Sequence, residues 1–146
     1  MRNPVKYKGV YRIIDANANR LKEGLRVCEE VSRFILDDAA LSRGLKAIRH
    51  AADGLLADLA DRSCCIRERD SAGDAGRRIH AAGELKRAGV NDIFCANIQR
   101  VKESIRVLEE FSKLYNSACA SGFKDLRYRV YEVEKQAVKK LELSVK

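Results

Sequence analysis

Arginine, asparagine and carboxylate side chains recur at helical spacing in two stretches of the chain. One stretch, residues 17–33, reads NANRLKEGLRVCEEVSR, and the other, residues 97–113, reads NIQRVKESIRVLEEFSK. Planar guanidinium groups bind phosphate oxygens two at a time, and carboxylates together with water hold Mg²⁺. Phosphoryl transfer needs this combination, because it depends on charge neutralisation, alignment and a bridging metal. The residue types therefore favour a site for phosphorylated ligands.

The two stretches form an internal repeat at a constant offset of 80 residues. The identical pairs are Asn17/Asn97, Arg20/Arg100, Lys22/Lys102, Glu23/Glu103, Arg26/Arg106, Val27/Val107, Glu29/Glu109, Glu30/Glu110 and Ser32/Ser112. A further echo, at an offset of 78, sets Ile48-Arg49-His50 against Leu126-Arg127-Tyr128. The repeat predicts two related halves, each made of a long helix, a short turn and a second helix.

Apolar residues at helical period predict helices near 11–36, 40–61, 92–116 and 122–144, paired as two antiparallel hairpins. Asp37 or Asp38 is the expected N-cap of the second helix, and Ser121 that of the last. A short helix over 77–88 is also predicted. The single proline and nine glycines argue against an all-β domain, which needs frequent turns.

The predicted fold is all-α: one domain over residues 1–146, built as a pseudo-twofold helical bundle of two duplicated hairpins. The first repeat covers about residues 11–61 and the second about 93–144. Between them lies a central loop segment over about 62–92, whose sequence breaks the pattern.

Polar residues occupy the apolar arc of the first predicted helix. Asn17 and Arg20 fall within this arc, and Asn97 and Arg100 take the equivalent places in the second repeat. Burying an amide without a partner costs about 1–3 kcal/mol, and an unpaired guanidinium costs more. Two explanations remain open: a structural hydrogen-bond network, or arginines whose stems pack on apolar neighbours while their heads meet phosphate.

The charged arc of the same helices also has two explanations. Opposite charges four residues apart, such as Arg26 and Glu30, are typical of a solvated face with weak pairs. Retention of the same residues in both repeats favours a functional role instead. Six arginines would converge if the halves packed about a pseudo-twofold axis. They are Arg20, Arg26, Arg49, Arg100, Arg106 and Arg127.

Familiar catalytic motifs are missing from the sequence. No Gly-x-x-x-x-Gly-Lys-Ser/Thr loop occurs, which excludes a P-loop enzyme, and two histidines give no support to a Ser-His-Asp arrangement. The net charge of +8 favours anionic partners, either nucleic acid or small phosphorylated ligands. Five cysteines without a framework spacing predict reduced thiols in a cytoplasmic protein. Neither a signal peptide nor a membrane span is expected.

Several motifs together resemble one known family. YRIIDANANRLKEGLRVCEEVSRF at residues 11–34, RDSAGDAG at 69–76, ANIQRVKESIRVLEEFSKLY at 96–115 and LRYRVYEVE at 126–134 look like its motifs in order. The family is a small all-helical kinase of hydroxymethylpyrimidine phosphate in thiamine biosynthesis. Its domain occurs alone and also fused in front of thiamine-phosphate synthase. The resemblance covers about residues 11–135, and the residues after Gly76 depart from the family pattern.

The resemblance implies a reaction in which ATP and Mg²⁺ convert the pyrimidine monophosphate into its diphosphate. The residues assigned to catalysis are Arg20, Arg26, Arg100 and Arg106. Those assigned to substrate and phosphate binding are Asn17, Asn97, Arg49, Arg69, Arg127 and Tyr128. The expected metal ligands are Glu23, Glu103, Asp70 and Asp74. These individual roles are inferred from residue chemistry.

Two alternatives come from other functional classes. One is a non-catalytic helical module that docks on thiamine-phosphate synthase. The other is nucleic-acid binding, which is disfavoured because the basic residues are interleaved with acids and no nucleic-acid module signature occurs. The expected partners are therefore ATP, the phosphorylated pyrimidine and the synthase, with neither nucleic acid nor membrane. A homo-oligomer is left open.

Overall fold

The computed structural model describes residues 7–144, which form helices joined by turns and contain no strand. Four long helices build the molecule: α1 (Val10–Glu30), α2 (Ala39–Leu59), α4 (Val90–Ser112) and α5 (Ser117–Ser144). A short helix, α3 (Arg62–Glu68), follows α2, and a π-helical turn (Val31–Ile35) continues α1. The all-α prediction is confirmed.

The four long helices form a ring in which each packs against two neighbours, in the order α1, α2, α5, α4. Neighbours run antiparallel: Arg49 of α2 pairs with Glu29, and Asp53, further along α2, pairs with Lys22, earlier in α1. Fully buried leucine, isoleucine and phenylalanine side chains from all four helices fill the centre. The stabilising interaction is burial of these apolar stripes, at about 25 cal/mol per Å² of surface removed from water.

Gly24 allows α1 and α4 to approach closely. A Cβ atom at this position would lie 2.8 Å from a methyl carbon of Val101 and 3.0 Å from the carbonyl oxygen of Asn97. Nearer the end of α1, the Cys28 thiol lies 3.7 Å from the carbonyl oxygen of Phe94, near the start of α4. A residue larger than glycine at position 24 would therefore push α1 and α4 apart.

Side-chain caps set the helix starts. Asp38 accepts a hydrogen bond from the Leu41 amide at 2.9 Å, which selects Asp38 over Asp37 as the N-cap of α2. Asp37 instead takes a left-handed φ of 50° between the π-helical turn and α2. The prediction for Ser121 is wrong. Helix α5 begins at Ser117, where Asn116 accepts from the Cys119 amide at 3.1 Å, so Ser121 lies inside the helix.

The central segment differs from the prediction in two places. Residues 77–88 form turns rather than a helix, with single-turn hydrogen bonds such as Arg77 to the Asp74 carbonyl. Residues 62–68, placed in the loop by sequence, form α3, which packs against α1. Asp61 caps α3 by accepting from the Ser63 amide at 2.7 Å. None of the helices described here has the length and apolar character needed to cross a bilayer.

Candidate functional site

Each half of the molecule buries one glutamate between its two long helices. Glu29 of α1 accepts from Arg49 of α2 at 3.3 Å, and Glu109 of α4 accepts from Arg127 of α5 at 3.0 and 3.2 Å. The glutamate side chains are only 9% and 5% exposed. These pairs sit at repeat-equivalent positions, at the offsets of 80 and 78 residues. They join the helices of each hairpin.

A second arginine reaches each buried glutamate from its own helix. Arg26 lies 3.8 Å from Glu29, and Arg106 lies 3.1 Å from Glu109 and 2.9 Å from Glu110. Both arginine side chains are about half exposed. Four of the six arginines expected to converge on a ligand are therefore engaged with glutamates, two in each half.

Aromatic rings extend the second-half cluster. Arg127 donates to the Tyr131 hydroxyl at 2.9 Å, and its guanidinium lies 5.6 Å from the Tyr128 ring centroid. The hydrogen bond to Tyr131, followed by the contact with Glu109, raises the pKa of Arg127. Tyr128 and Tyr131 meet edge to face at 5.6 Å. Tyr128 is 57% exposed and packs on Arg127. Both residues are predicted to bind substrate.

A cleft of about 500 Å³ lies between α1 and the segment 69–76. Three arginines line it, Arg12, Arg20 and Arg69, together with three aspartates, Asp15, Asp70 and Asp74. We call it the arginine cleft. Within residues 7–144 the Arg20 guanidinium has no hydrogen-bond or ion-pair partner, so its donors face the cleft and solvent. The cleft can accept an anion of phosphate chemistry.

Asp15 and Arg69 tie the segment to α1. Arg69 donates two hydrogen bonds to the two carboxylate oxygens of Asp15, at 2.6 and 2.7 Å. This geometry is the bidentate arrangement that suits a guanidinium and a carboxylate. The hydrogen bond to Asp15 raises the pKa of Arg69, which keeps the guanidinium charged. Arg12 adds a long contact of 3.5 Å to the Asp70 carbonyl.

The two loop aspartates shape their own turns. Asp70 accepts from the Gly73 amide and Asp74 from the Gly76 amide, both at 2.9 Å. Each therefore presents a fixed carboxylate at the arginine cleft. Nowhere in the described chain do three histidine, cysteine, aspartate or glutamate side chains form a ready-made metal cluster. Mg²⁺ needs only one or two carboxylates when substrate phosphates and water supply its other ligands, and Asp70 and Asp74 fit that donor set.

Glu23 and Glu103, the other two predicted metal ligands, do not line the arginine cleft. Both are exposed and line neither of the two clefts described here; Glu103 accepts from Gln99 on its own helix at 3.1 Å. The structure therefore does not bring the four predicted metal ligands together.

A second cleft, of about 440 Å³, lies between α1, α2 and α3. We call it the α1–α3 cleft. Ile14, Leu56 and Ala57 are among its apolar residues, and Asp53 and Asp61 are carboxylates in its lining. Cys65 also lines it, and burial raises the pKa of this thiol to about 11, so it stays protonated near neutral pH. The cleft combines an apolar surface with hydrogen-bond acceptors.

The asparagines and arginines predicted to lie on the apolar arc differ in burial. Asn17 is buried, as expected, and donates to the Ile13 carbonyl at 2.9 Å; Asn97 is half-buried and donates to Ile93 at 2.8 Å. Arg20 and Arg100, by contrast, are exposed, and neither guanidinium has a hydrogen-bond or ion-pair partner within residues 7–144, so the structural hydrogen-bond network, one of the two explanations, is not found for them. The reason is that a long arginine at the border of an apolar arc extends to solvent.

The expected enclosure of Arg20 and Arg100 in one shared cavity is not found in these clefts. Arg20 lines the arginine cleft, whereas neither described cleft includes Arg100 or any other residue of α4 or α5. Asn17, Arg69, Asp70 and Asp74 do lie with Arg20. Part of the predicted site is thus assembled on the first half alone.

Several cleft residues were missed by sequence reasoning. Arg12 and Asn19 line the arginine cleft three and four residues from Asp15, a residue of the motif that resembles the kinase family, which places all three on one face of α1. That spacing was an available signal. Asp53 and Arg62 gave none, because only the packing of α2 and α3 against α1 brings them to the α1–α3 cleft.

The fold and the clefts define an all-helical bundle with a cleft on one face that is lined by three arginines and three aspartates. The ThiD2 family model matches residues 12–136, and the chain belongs to this family.

Three relatives of the chain carry the same name. The chain is 41% identical over 131 residues to a protein called thiamine-phosphate synthase from Nostoc punctiforme, covering 86% of this chain and 34% of the relative. It is 40% identical over 128 residues to the protein of that name from Rhodopirellula baltica, covering 84% and 32%. The Synechocystis protein of that name is 40% identical over 130 residues, covering 86% and 35%. The chain thus spans about a third of the length of these relatives, and no solved structure matches it significantly.

Proposed function

We propose that this protein acts in thiamine biosynthesis as an ATP-dependent kinase, which converts 4-amino-5-hydroxymethyl-2-methylpyrimidine phosphate into the diphosphate. The observation that carries the proposal is the arginine cleft, which Arg12, Arg20 and Arg69 line together with Asp70 and Asp74. Membership of the ThiD2 family and similarity to proteins called thiamine-phosphate synthase support the pathway. The sequence motifs that resemble the kinase family support the reaction.

The proposed chemistry needs positioning rather than a strong base. A phosphate monoester has its second pKa near 6, so most of it is doubly ionised at neutral pH. Its oxygen attacks the γ-phosphorus of ATP, a new P–O–P bond forms, and the bond to the β-phosphate oxygen breaks as ADP leaves. No proton must be removed from the nucleophile. This is consistent with a cleft that offers cations and carboxylates but no histidine.

The arginines then have distinct tasks. Arg20, which has no partner among residues 7–144, is the group that binds the substrate phosphate. Arg69 is held in place by Asp15 and directs its remaining donors toward the same anion. Together they reduce the repulsion between the substrate monophosphate and the triphosphate of ATP, which is the main barrier to their approach. Asp70 and Asp74 would hold Mg²⁺, which supplies neutralisation of the ATP phosphates when bound.

The test is a coupled assay with purified protein, ATP, Mg²⁺ and the pyrimidine monophosphate, in which ADP release and diphosphate formation are both measured. The free pyrimidine alcohol serves as substrate control, because the proposed site binds a phosphate already present. Diphosphate formation from the monophosphate alone is expected. ADP release without diphosphate, or equal turnover of the alcohol, contradicts the proposal.

A second candidate is a non-catalytic module that associates with thiamine-phosphate synthase. It is favoured by the match to only about a third of relatives that carry that name, and by the engagement of four arginines in ion pairs. Purified synthase would then bind this chain, and the chain would consume no ATP with either pyrimidine. Binding together with diphosphate formation supports the kinase instead.

A further inference from the structure

The arginine cleft and the α1–α3 cleft share a wall. Asp15, Asn19 and Arg69 line both of them. The paired side chains of Asp15 and Arg69 therefore stand at the border between the two spaces.

The two clefts differ in chemistry. Apolar side chains are few in the arginine cleft, where they are Ile13 and Ala16, whereas Ile14, Leu56 and Ala57 are among the larger apolar set of the α1–α3 cleft. The α1–α3 cleft is lined by charged residues as well, among them Asp61, Arg62 and the ion pair of Asp53 with Lys22 at 2.9 Å. Small-molecule sites typically combine an apolar surface for a ring with a few polar groups that orient it. An amino-substituted heterocycle fits this description, because its faces are apolar and its amino group donates to a carboxylate.

The distance between ring and phosphate within a ligand affects whether it can occupy both clefts. In the pyrimidine monophosphate, one methylene carbon and one oxygen separate the ring from the phosphorus. In an adenine nucleotide, a whole ribose stands between the base and the phosphate. Since the clefts share the wall formed by Asp15, Asn19 and Arg69, a ligand whose ring and phosphate are close together suits them better than one with a long spacer.

We infer that the α1–α3 cleft binds the aminopyrimidine ring of the substrate while the substrate phosphate lies beside Arg20 and Arg69 in the arginine cleft. This inference rests on the proposed function for the identity of the ligand. It assigns ring recognition to residues of α2 and α3, none of which was selected from the sequence. Ala57 is the most useful position for a test, because it is exposed in α2 and lines this cleft alone.

The experiment measures binding by calorimetry in the absence of ATP. The probes are the pyrimidine monophosphate, inorganic phosphate and adenosine monophosphate. The protein is the full chain as wild type, as Ala57→Trp, and as the matched control Ala47→Trp, which alters another exposed alanine of α2 outside both clefts. Ala18→Leu narrows the same cleft from the α1 side and serves as a second variant. Circular dichroism checks that each variant is folded.

Filling the cleft should weaken binding of the pyrimidine monophosphate by at least about tenfold and that of inorganic phosphate by less than about twofold. Ala47→Trp should bind both probes as the wild type does. The inference is overturned if Ala57→Trp and Ala18→Leu bind the pyrimidine monophosphate normally, or if only adenosine monophosphate is affected. It is also overturned if the wild type binds inorganic phosphate and the pyrimidine monophosphate equally well.

These outcomes separate the inference from the proposed function. Selective loss of pyrimidine binding in Ala57→Trp supports the ring site even if wild-type protein forms no diphosphate, in which case the kinase proposal alone fails. Conversely, wild-type diphosphate formation with an unaffected Ala57→Trp variant leaves the kinase proposal standing and removes the ring site.

Discussion

The first residues of α1 and α4 are equivalent in the repeat, yet only those of α1 line the two clefts described here. Arg20 has its counterpart in Arg100, but Arg12 corresponds to Asp92 and Asp15 to Cys95. Asp15 holds Arg69 through two hydrogen bonds, whereas Cys95 is an exposed thiol. A repeated arginine is therefore not enough to form such a cleft. The neighbours that hold a covering segment, as Asp15 holds Arg69, decide where the cleft forms.

The buried glutamates, unlike the clefts, occur in both halves. Glu29 and Glu109 each pair with an arginine of the neighbouring helix, but the contact distances differ. Glu109 accepts from Arg127 and Arg106 at 3.0 to 3.2 Å, whereas the distances from Glu29 to Arg49 and Arg26 are 3.3 and 3.8 Å. Residues kept across a duplication can thus have a structural role in the hairpin itself.

The largest expected difference between the halves concerns turnover by Arg20→Ala and Arg100→Ala. Loss of a phosphate-binding guanidinium should lower kcat/KM by about 100-fold or more in Arg20→Ala, because that group is proposed to contact the anion. Arg100→Ala should remain within about threefold of wild type, because Arg100 lies outside both clefts. Steady-state diphosphate formation checks this. Equal losses in the two variants would restore the symmetric site that the sequence predicted.

The next effect is on stability, from Glu109→Ala and Glu29→Ala. Removing one partner of a buried pair leaves an arginine uncompensated, which should cost about 2–3 kcal/mol for Glu109 and about 1–2 kcal/mol for Glu29. Urea denaturation measures the difference. Glu103→Ala and Glu23→Ala are matched controls, since each removes an exposed glutamate from the same helix. A larger loss of unfolding free energy for Glu29→Ala than for Glu109→Ala would contradict the inference that the shorter contacts of Glu109 are the more stabilising ones.

A smaller effect should follow when the segment 69–76 is released. Asp15→Ala removes both hydrogen bonds to Arg69, so binding of the pyrimidine monophosphate should weaken by about tenfold and proteolysis near residues 69–78 should accelerate. The repeat-equivalent Cys95→Ala should change neither quantity. Calorimetry and timed trypsin digestion provide the measurements. Unchanged binding in Asp15→Ala would show that the ion pair does not position the cleft.

The smallest effects belong to Arg26→Ala and Arg106→Ala. Both side chains are about half exposed and lie outside the two clefts, so turnover should change by less than about twofold. The urea midpoint should fall more for Arg106→Ala, which loses contacts with Glu109 and Glu110. The deficit should shrink at high salt as exposed charges are screened. Loss of most turnover in either variant would return these arginines to the catalytic group.

Much of the fold could be predicted because apolar periodicity reports directly on which helix face is buried. The second helix, predicted over 40–61, runs from Ala39 to Leu59, and Asp38 caps it. The helix expected over 77–88 shows where this inference weakens. Short polar segments depend on what they pack against, and residues 77–88 are exposed in turns. Arg62–Glu68 becomes helical with an N-cap at Asp61 and contacts with α1.

The site could be predicted only in part. Arg20, Asn17, Arg69, Asp70 and Asp74 were selected from residue chemistry and motif resemblance, and they line one cleft. The sequence did not distinguish these cleft residues from four other arginines, because a charged residue of a predicted helix has the same pattern in either role. The four are Arg26, Arg49, Arg106 and Arg127. That distinction depends on whether a glutamate of the same hairpin lies within reach, and interhelical distances are absent from a one-dimensional pattern.

By itself, the sequence determined the helical class, the duplicated hairpins and the supply of cations for an anionic ligand. These properties follow from residue periodicity and identity, which are local. Only the tertiary structure decided that Asp15 meets Arg69 across 54 residues, that α3 packs beside α1, and that Arg100 is excluded from both described clefts. Clefts form where particular helices and segments approach, and that approach depends on the packing of the whole chain.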